Sequence, residues 1–272
     1  MDDVFVLKFG GNAIKGREDL DRLSKEVAGL IKQGARIIMV HGGGPEINAE
    51  MERLGLEPKK VAGVRITDDR TLEVAEKVLR QINADVVEAM RDNGITAVGL
   101  PGYHVAAFRR REPYNVVENG KEITVDLMNV GDVTEANIEV LEDLLSNGVT
   151  PVVYPIGEDS EGRHLNVNAD TMAAGIAAGI RCREMIQITD VPGILLDIDD
   201  PDSLQSELTL AEVDRLIAEG TISGGMVPKV EACRKALKAG VSKVRMVNGK
   251  DKRTIVSDVM QEGVRHGTVI TE

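Results

Sequence analysis

Short apolar, β-branched runs that close on glycine and lead into amphipathic helical periods recur along this chain, and that rhythm restricts the fold more than any other feature. Val4 to Phe9 ends in Gly10-Gly11, after which Leu20, Leu23, Val27, Leu30 and Ile31 repeat at helical spacing as far as Lys32. Arg36 to Val40 is a second run, entering "HGGGPEIN" (His41 to Asn48), and a helix is expected from Pro45 to Leu54. The same reading predicts helices over Thr71 to Asn93 and Ile138 to Asn147, with strands at Ala97 to Leu100 and Thr150 to Pro155. Further on it predicts helices over Ala169 to Gly179, Thr209 to Glu219 and Val227 to Ala239, and strands at Glu184 to Thr189 and Lys243 to Val247. Such alternation implies an α/β fold with a mostly parallel central sheet. "VAGVRITD" and the pair "NVVENG" and "KEITVDL" alternate apolar with polar residues instead, so hairpins are expected there, the second turning at Asn119-Gly120.

At 272 residues the chain lies where single cores begin to divide, and two lobes are expected. The polar "GEDSEGRH" (Gly157 to His164) marks the boundary, giving residues 1–157 and 158–272. A formal net charge of -12 repels polyanions, and a chain with no Trp, three Tyr and three Phe offers few stacking platforms. Nucleic acid and anionic membrane are therefore poor partners, while a small anion can still be held by a local positive site. Cys182 and Cys233 are far apart and lack metal-type spacing, as reduced thiols of a cytoplasmic protein would be. No apolar run approaches ~20 residues and "MDDVFVLKFGG" carries acids where a signal peptide carries cations, so no targeting segment is expected.

In open α/β sheets ligands sit beyond the carboxyl ends of the strands, where glycines let backbone N–H groups approach anionic oxygens. Gly10-Gly11, Gly42-Gly43-Gly44 and Gly193 all hold such positions. A glycine after a strand also serves a plain tight turn; three such turns favour a binding role. Neither G-x-x-x-x-G-K-[ST] nor G-x-G-x-x-G is present, so the chain is a different kind of phosphate binder. Lys8, beside the first glycine pair, is either a solvated charge or a cation reaching a group on that turn. Asn166, Asn168 and Asp170 face one side if extended, while Asp170 is also placed to cap the following helix. Lys229 falls in the first turn of a helix opened by "SGGMVP", where the macrodipole disfavours a cation and an anion would compensate it.

The segments "KFGGNAI", "VHGGGPEIN", "GVRITDDRTLEVAEKVL", "AVGLPG", "VGDVT", "PVVYPIGEDSEGRHLNVNADTMAAGIA", "ITDVPGIL", "SGGMVPKV" and "GTVI", in this order from residue 5 to 270, resemble the amino acid kinase family, and within it the acetylglutamate kinases. The resemblance implies a three-layer α-β-α sandwich on an open, mostly parallel sheet. Residues 1–157 would bind the acyl amino acid and dimerise, and residues 158–272 would bind ATP. The implied reaction moves the γ-phosphoryl of ATP onto the side-chain carboxylate of an N-acetylated glutamate in arginine biosynthesis. Lys8 and Lys229 match the family's transition-state lysines, Asp170 the aspartate that orients both, and Gly10 and Gly11 the turn beneath the phosphoryl group. Gly43, Gly44, Arg65 and Asn166 match the acyl-amino-acid site, Arg65 gripping the α-carboxylate. Asp190, Val191, Pro192, Gly193, Ile194, Leu195, Thr221, Ile222 and Ser223 match the nucleotide site, with Mg²⁺ held mainly by ATP phosphates rather than by protein ligands.

"GLPGYHVAAFRRREP", with Tyr103-His104 and Arg109 to Arg111, and "LRQIN" depart from the family pattern and leave the acceptor open. The rivals are an amino acid kinase for another acylated or carrier-linked acidic amino acid or for carbamate, and a non-catalytic regulator on the same fold. Arginine-inhibited members carry a helix ahead of the first strand; with that strand beginning at about Val4, an arginine-insensitive homodimer is expected.

Overall fold

The computed structural model describes residues 3–61, 64–118, 121–252, 254–257, 259–261 and 266–272. The chain opens with β1 (Val4–Phe9), α1 (Gly16–Lys32), β2 (Arg36–His41) and α2 (Gly44–Arg53). A short hairpin of β3 (Lys60–Val61) and β4 (Val64–Arg65) precedes the long α3 (Asp69–Asp92) and β5 (Ala97–Pro101). Next come β6 (Ala106–Arg110), the antiparallel pair β7 (Tyr114–Glu118) and β8 (Lys121–Val125), then β9 (Val130–Ala136), α4 (Ile138–Ser146) and β10 (Thr150–Tyr154). The Asn119-Gly120 turn and residues 62–63 lie outside the described residues. Beyond them follow β11 (Ile156–Glu158), β12 (His164–Val167), α5 (Ala169–Gly179), β13 (Glu184–Thr189), β14 (Ile194–Leu195), β15 (Leu204–Gln205) and β16 (Glu207–Thr209). The chain closes with α6 (Leu210–Ala218), α7 (Met226–Lys238), β17 (Val244–Asn248) and β18 (Thr268–Thr271).

Eight strands form the main sheet in the order β16-β18-β17-β13-β1-β2-β10-β5, parallel except where β17 meets β18. One half of it comes from residues before 155 and the other from residues after 183, joined at the β1–β13 seam. The two-residue period of a strand makes the sandwich. Val4 and Val6 of β1 pack with Met172 and Ile176 of α5, Val213 of α6 and Val230 of α7. Phe5 and Leu7, pointing the other way, pack with Leu23 and Val27 of α1 and Val86 and Met90 of α3. All of these side chains are buried, each contributing about 1.5–3 kcal/mol relative to exposure. Lys8 follows Val4 and Val6 on the α5 side, and that parity decides which groups it can meet.

A second, four-stranded sheet, β11-β12-β9-β6, was not legible in the sequence. Residues 157–164, the expected lobe boundary, span the end of β11, the turn and the first residue of β12 within it. Glu26 of α1 accepts backbone hydrogen bonds from Ile255 (2.7 Å), Val256 (2.7 Å) and Ser257 (3.0 Å), tying the segment after β17 to the first helix. Among the described residues no helix is long and apolar enough to cross a membrane.

Candidate active site

Two glycine turns meet at the carboxyl ends of β1 and β2. Gly10, at φ 154°, lies so close to the next turn that a Cβ there would sit 3.0 Å from the Gly42 nitrogen, and Gly42 N–H donates to the Phe9 carbonyl at 2.8 Å. Gly43 is small for a different reason: a Cβ would come within 2.7 Å of Ile82 Cδ1 and 3.0 Å of Leu79 on α3. The "LRQIN" segment (residues 79–83) is thus the floor on which the second turn rests. Its Asn83 donates to the Val152 carbonyl at 2.9 Å and to His41 Nε2 at 3.1 Å, so the imidazole proton is on Nδ1 and is donated to the Gly42 carbonyl at 2.9 Å. Burial pushes the His41 pKa down to about 4, against the opposing pull of the Gly42 hydrogen bond, and the ring is neutral at physiological pH. Sequence reading passed over His41 because a histidine at a strand end gives no periodic signal.

Above these turns lies a cavity of ≈ 300 Å³. Lys8, Gly10, Gly11, Gly43, Gly44, Arg65, Asn166 and Asp170, all singled out from sequence, line it together. The Lys8 ammonium sits 2.7 Å from Asp170 Oδ1. Capping of α5 falls to Asn168, whose side chain accepts from the N–H groups of Asp170 (2.9 Å) and Thr171 (3.1 Å). The reading of Asp170 as the cap is therefore corrected, and its carboxylate is free to hold a cation.

Arg65 is 7 % exposed. Its guanidinium donates to Asn48 Oδ1 (2.6 Å), the Gly44 carbonyl (3.4 Å) and Met51 Sδ (3.3 Å), leaving part of its five-donor fork open. Burial lowers its pKa from the ordinary value, which still leaves it charged at neutral pH. Asn166 donates to Thr67 Oγ1 at 3.1 Å. Lys60, opposite Arg65 in the β3–β4 hairpin, also lines the cavity. Only the fold, by pairing those two strands, reveals it.

A second cavity of ≈ 460 Å³ is lined by Val191, Pro192, Gly193, Ile194, Leu195, Thr221, Ile222 and Ser223, with Ile198, Pro201 and Met226. Every residue given to the nucleotide except Asp190 is there. Asp190 instead holds Lys229, with Nζ to Oδ1 at 3.2 Å, and Lys229 also reaches the Gly225 carbonyl at 3.4 Å. Burial raises the Asp190 pKa, but the hydrogen bond and charge of Lys229 outweigh it and the carboxyl lies below its ordinary range. The family likeness gives Asp170 as the partner of both lysines; in this structure Asp170 pairs with Lys8 and Asp190 with Lys229. The compensating anion expected beside Lys229 is thus a side chain of the protein.

Of the departures from the family pattern, "LRQIN" reaches the first cavity through Leu79, while the Tyr103-His104 and Arg109 to Arg111 segment lies off it. Tyr103 stacks on His164 with ring centroids 5.0 Å apart and meets His104 edge-on at 4.8 Å, bracing the β11–β12 hairpin. Arg110 binds Asp126 (2.9 Å) and Arg111 binds Asp132, while Arg109 is exposed.

The sequence profile of the amino acid kinase family matches residues 3–248. An acetylglutamate kinase of Methanococcus aeolicus is 40% identical over 99% of this chain and 92% of its own length. One from Methanocaldococcus jannaschii is 41% identical over 98% and 90% respectively. A crystallised protein from Streptococcus mutans UA159 superposes with a TM-score of 0.73 at 28% identity, covering 100% of this chain and 99% of that one. With the family profile matching most of its length and acetylglutamate kinases about 40% identical over nearly all of it, the chain belongs to the amino acid kinase family.

Proposed function

We propose that this chain transfers the γ-phosphoryl group of ATP to the side-chain carboxylate of N-acetyl-L-glutamate, forming an acyl phosphate and ADP in arginine biosynthesis. The observation that carries the reading is the ≈ 300 Å³ cavity, which brings Lys8, Asp170, Arg65 and both glycine turns to one place. The acceptor's α-carboxylate takes the open donors of Arg65, which favours an amino acid over carbamate. Backbone N–H groups of the glycine turns and the start of α2 face its other oxygens. The adenine base enters the apolar cavity beside Val191 to Leu195.

In the reaction one oxygen of the acceptor carboxylate bonds to Pγ as the bond from Pγ to the β–γ bridging oxygen breaks, and ADP leaves with that electron pair. The carboxylate is already ionised at neutral pH, so no general base is required. Lys8 and Lys229 neutralise charge on the equatorial oxygens, and backbone donors of Gly10 and Gly11 hold the group in line. Mg²⁺ fits as a companion of the nucleotide phosphates. Asp170 and Asp190, the carboxylates beside the transferring group, are each engaged by a lysine, and no cluster of three or more metal-ligating side chains lies among the described residues. When bound, the ion supplies charge neutralisation across the phosphates.

The same proposal takes residues 1–157 as the acceptor lobe and residues 158–272 as the nucleotide lobe, in a cytoplasmic homodimer. It rests there on the family likeness and on the two halves of the sheet. An ADP-release assay against N-acetyl-L-glutamate, other acylated acidic amino acids and carbamate tests the acceptor. Turnover is expected with N-acetyl-L-glutamate and little with carbamate; preference for another acceptor would displace the reading.

A further inference from the structure

We propose that Gln187 is a positioning residue for phosphoryl transfer, locking together the two arms of the protein that carry Lys8 and Lys229. The inference rests on the reading of those lysines and Asp170 as the groups around the transferring phosphoryl. In the parallel β1–β13 pair Gln187 stands opposite Lys8, so both side chains rise on the face covered by α5 and α7. Gln187 is 3 % exposed. Its Nε2 donates to Asp170 Oδ1 at 3.0 Å, the same oxygen that meets Lys8 Nζ at 2.7 Å. Its Oε1 accepts from Cys233 Sγ at 2.9 Å.

The direction of each bond is fixed by chemistry. An ionised carboxylate only accepts, so the amide NH₂ faces Asp170 and the carbonyl must face Cys233. The thiol remains protonated and able to donate, because burial first and the Asp170 charge second push its pKa up to about 12, against the pull of Lys8. Cys233 lies on α7, one turn after Lys229, and so shares its face of the helix. One amide on β13 therefore holds the start of α5, with the carboxylate that grips Lys8, and the α7 face that presents Lys229. A glutamine in the middle of a buried strand is an expensive residue unless both ends of its amide are paired; here both are.

Steady-state kinetics with ATP and N-acetyl-L-glutamate on Gln187→Leu, Cys233→Ala and Cys233→Ser test this, with Lys8→Ala as the control on the site itself. Loss of the amide should lower kcat about 10-fold with both KM values within about 2-fold, because alignment in flight is lost while ground-state binding is not. Cys233→Ser keeps a donor for Oε1 and should hold kcat within about 2-fold, whereas Cys233→Ala should lower it roughly 3-fold. Simple packing predicts the reverse order, since a buried hydroxyl is less welcome there than a methyl group. Wild-type kcat in Gln187→Leu, or Ala matching or exceeding Ser at position 233, would overturn the role; should Gln187→Leu fail to fold, the order at 233 decides alone. An inactive Lys8→Ala beside an unaffected Gln187→Leu removes only the positioning role, while an active Lys8→Ala removes the site reading and this inference together.

Discussion

At the scale of single residues, Lys8 and Arg65, two of the three cations lining the first cavity, have different neighbours and so different expected jobs. Lys8 is held by a carboxylate at the strand end, where the proposed reaction gathers charge on the transferring group. Arg65 is held by a carbonyl, an amide oxygen and a thioether, none of which cancels its charge. Lys8→Ala is therefore expected to lower kcat by about 10²–10³ with little change in nucleotide binding. Arg65→Ala should chiefly raise the acceptor KM; equal losses in kcat alone for both would contradict the division. His41 gives a prediction of another kind. Its pKa is about 4 folded against 6.5 unfolded, so below pH 6.5 the unfolded chain binds the extra proton. The stabilisation is complete above 6.5 and is lost as pH falls through 4, amounting to about 3 kcal/mol. Urea titrations at pH 7 and pH 4 should show wild type losing that much more than His41→Gln, and equal losses would rule it out.

At the scale of elements, β13 does more than fill the middle of the sheet. It begins at Glu184, 1 % exposed, whose carboxylate takes the Arg245 guanidinium on β17 and Lys243 Nζ at 3.0 Å; it then carries Gln187 and runs out into Asp190. Removing one member of a buried, paired charge set costs about 3–5 kcal/mol, so Glu184→Ala should lower unfolding stability by that order, read from the urea midpoint. A change under ~1 kcal/mol would mean that water reaches the pair. Elements of this kind were legible because period-two strands and 3.6-period helices are written locally: Val4–Phe9, Ala169–Gly179 and Glu184–Thr189 were expected with the bounds they have. The β6–β9–β12–β11 sheet was not, since its strands include runs of three and four residues whose pairing is set by distant partners. The same limit hid one ion pair of the site. Lys8, Asp170 and Lys229 sit in recognisable segments, and a helix beginning at Ala169 makes Asn168 its N-cap, but that Asp190 takes Lys229 depends on a contact between segments distant in the chain.

At the scale of the whole molecule, the sheet is a seam between two halves, β5-β10-β2-β1 and β13-β17-β18-β16, and both lysines stand near it. Lys8 ends the first half; Lys229 is tethered to the residue that follows the first strand of the second half. A net charge of -12 surrounds the site, so in the proposed reaction anions are held by these local cations and not by the overall field. The convergence of both lysines on one phosphoryl group is the central claim, and a crystal structure with Mg²⁺, ADP, a planar phosphoryl mimic such as aluminium fluoride and N-acetyl-L-glutamate tests it most directly. Both ammonium nitrogens are predicted within about 3.2 Å of the equatorial positions of the mimic, with Asp170 and Asp190 still at their sides. A complex in which either nitrogen stays beyond about 6 Å, with only its carboxylate for company, would contradict the account.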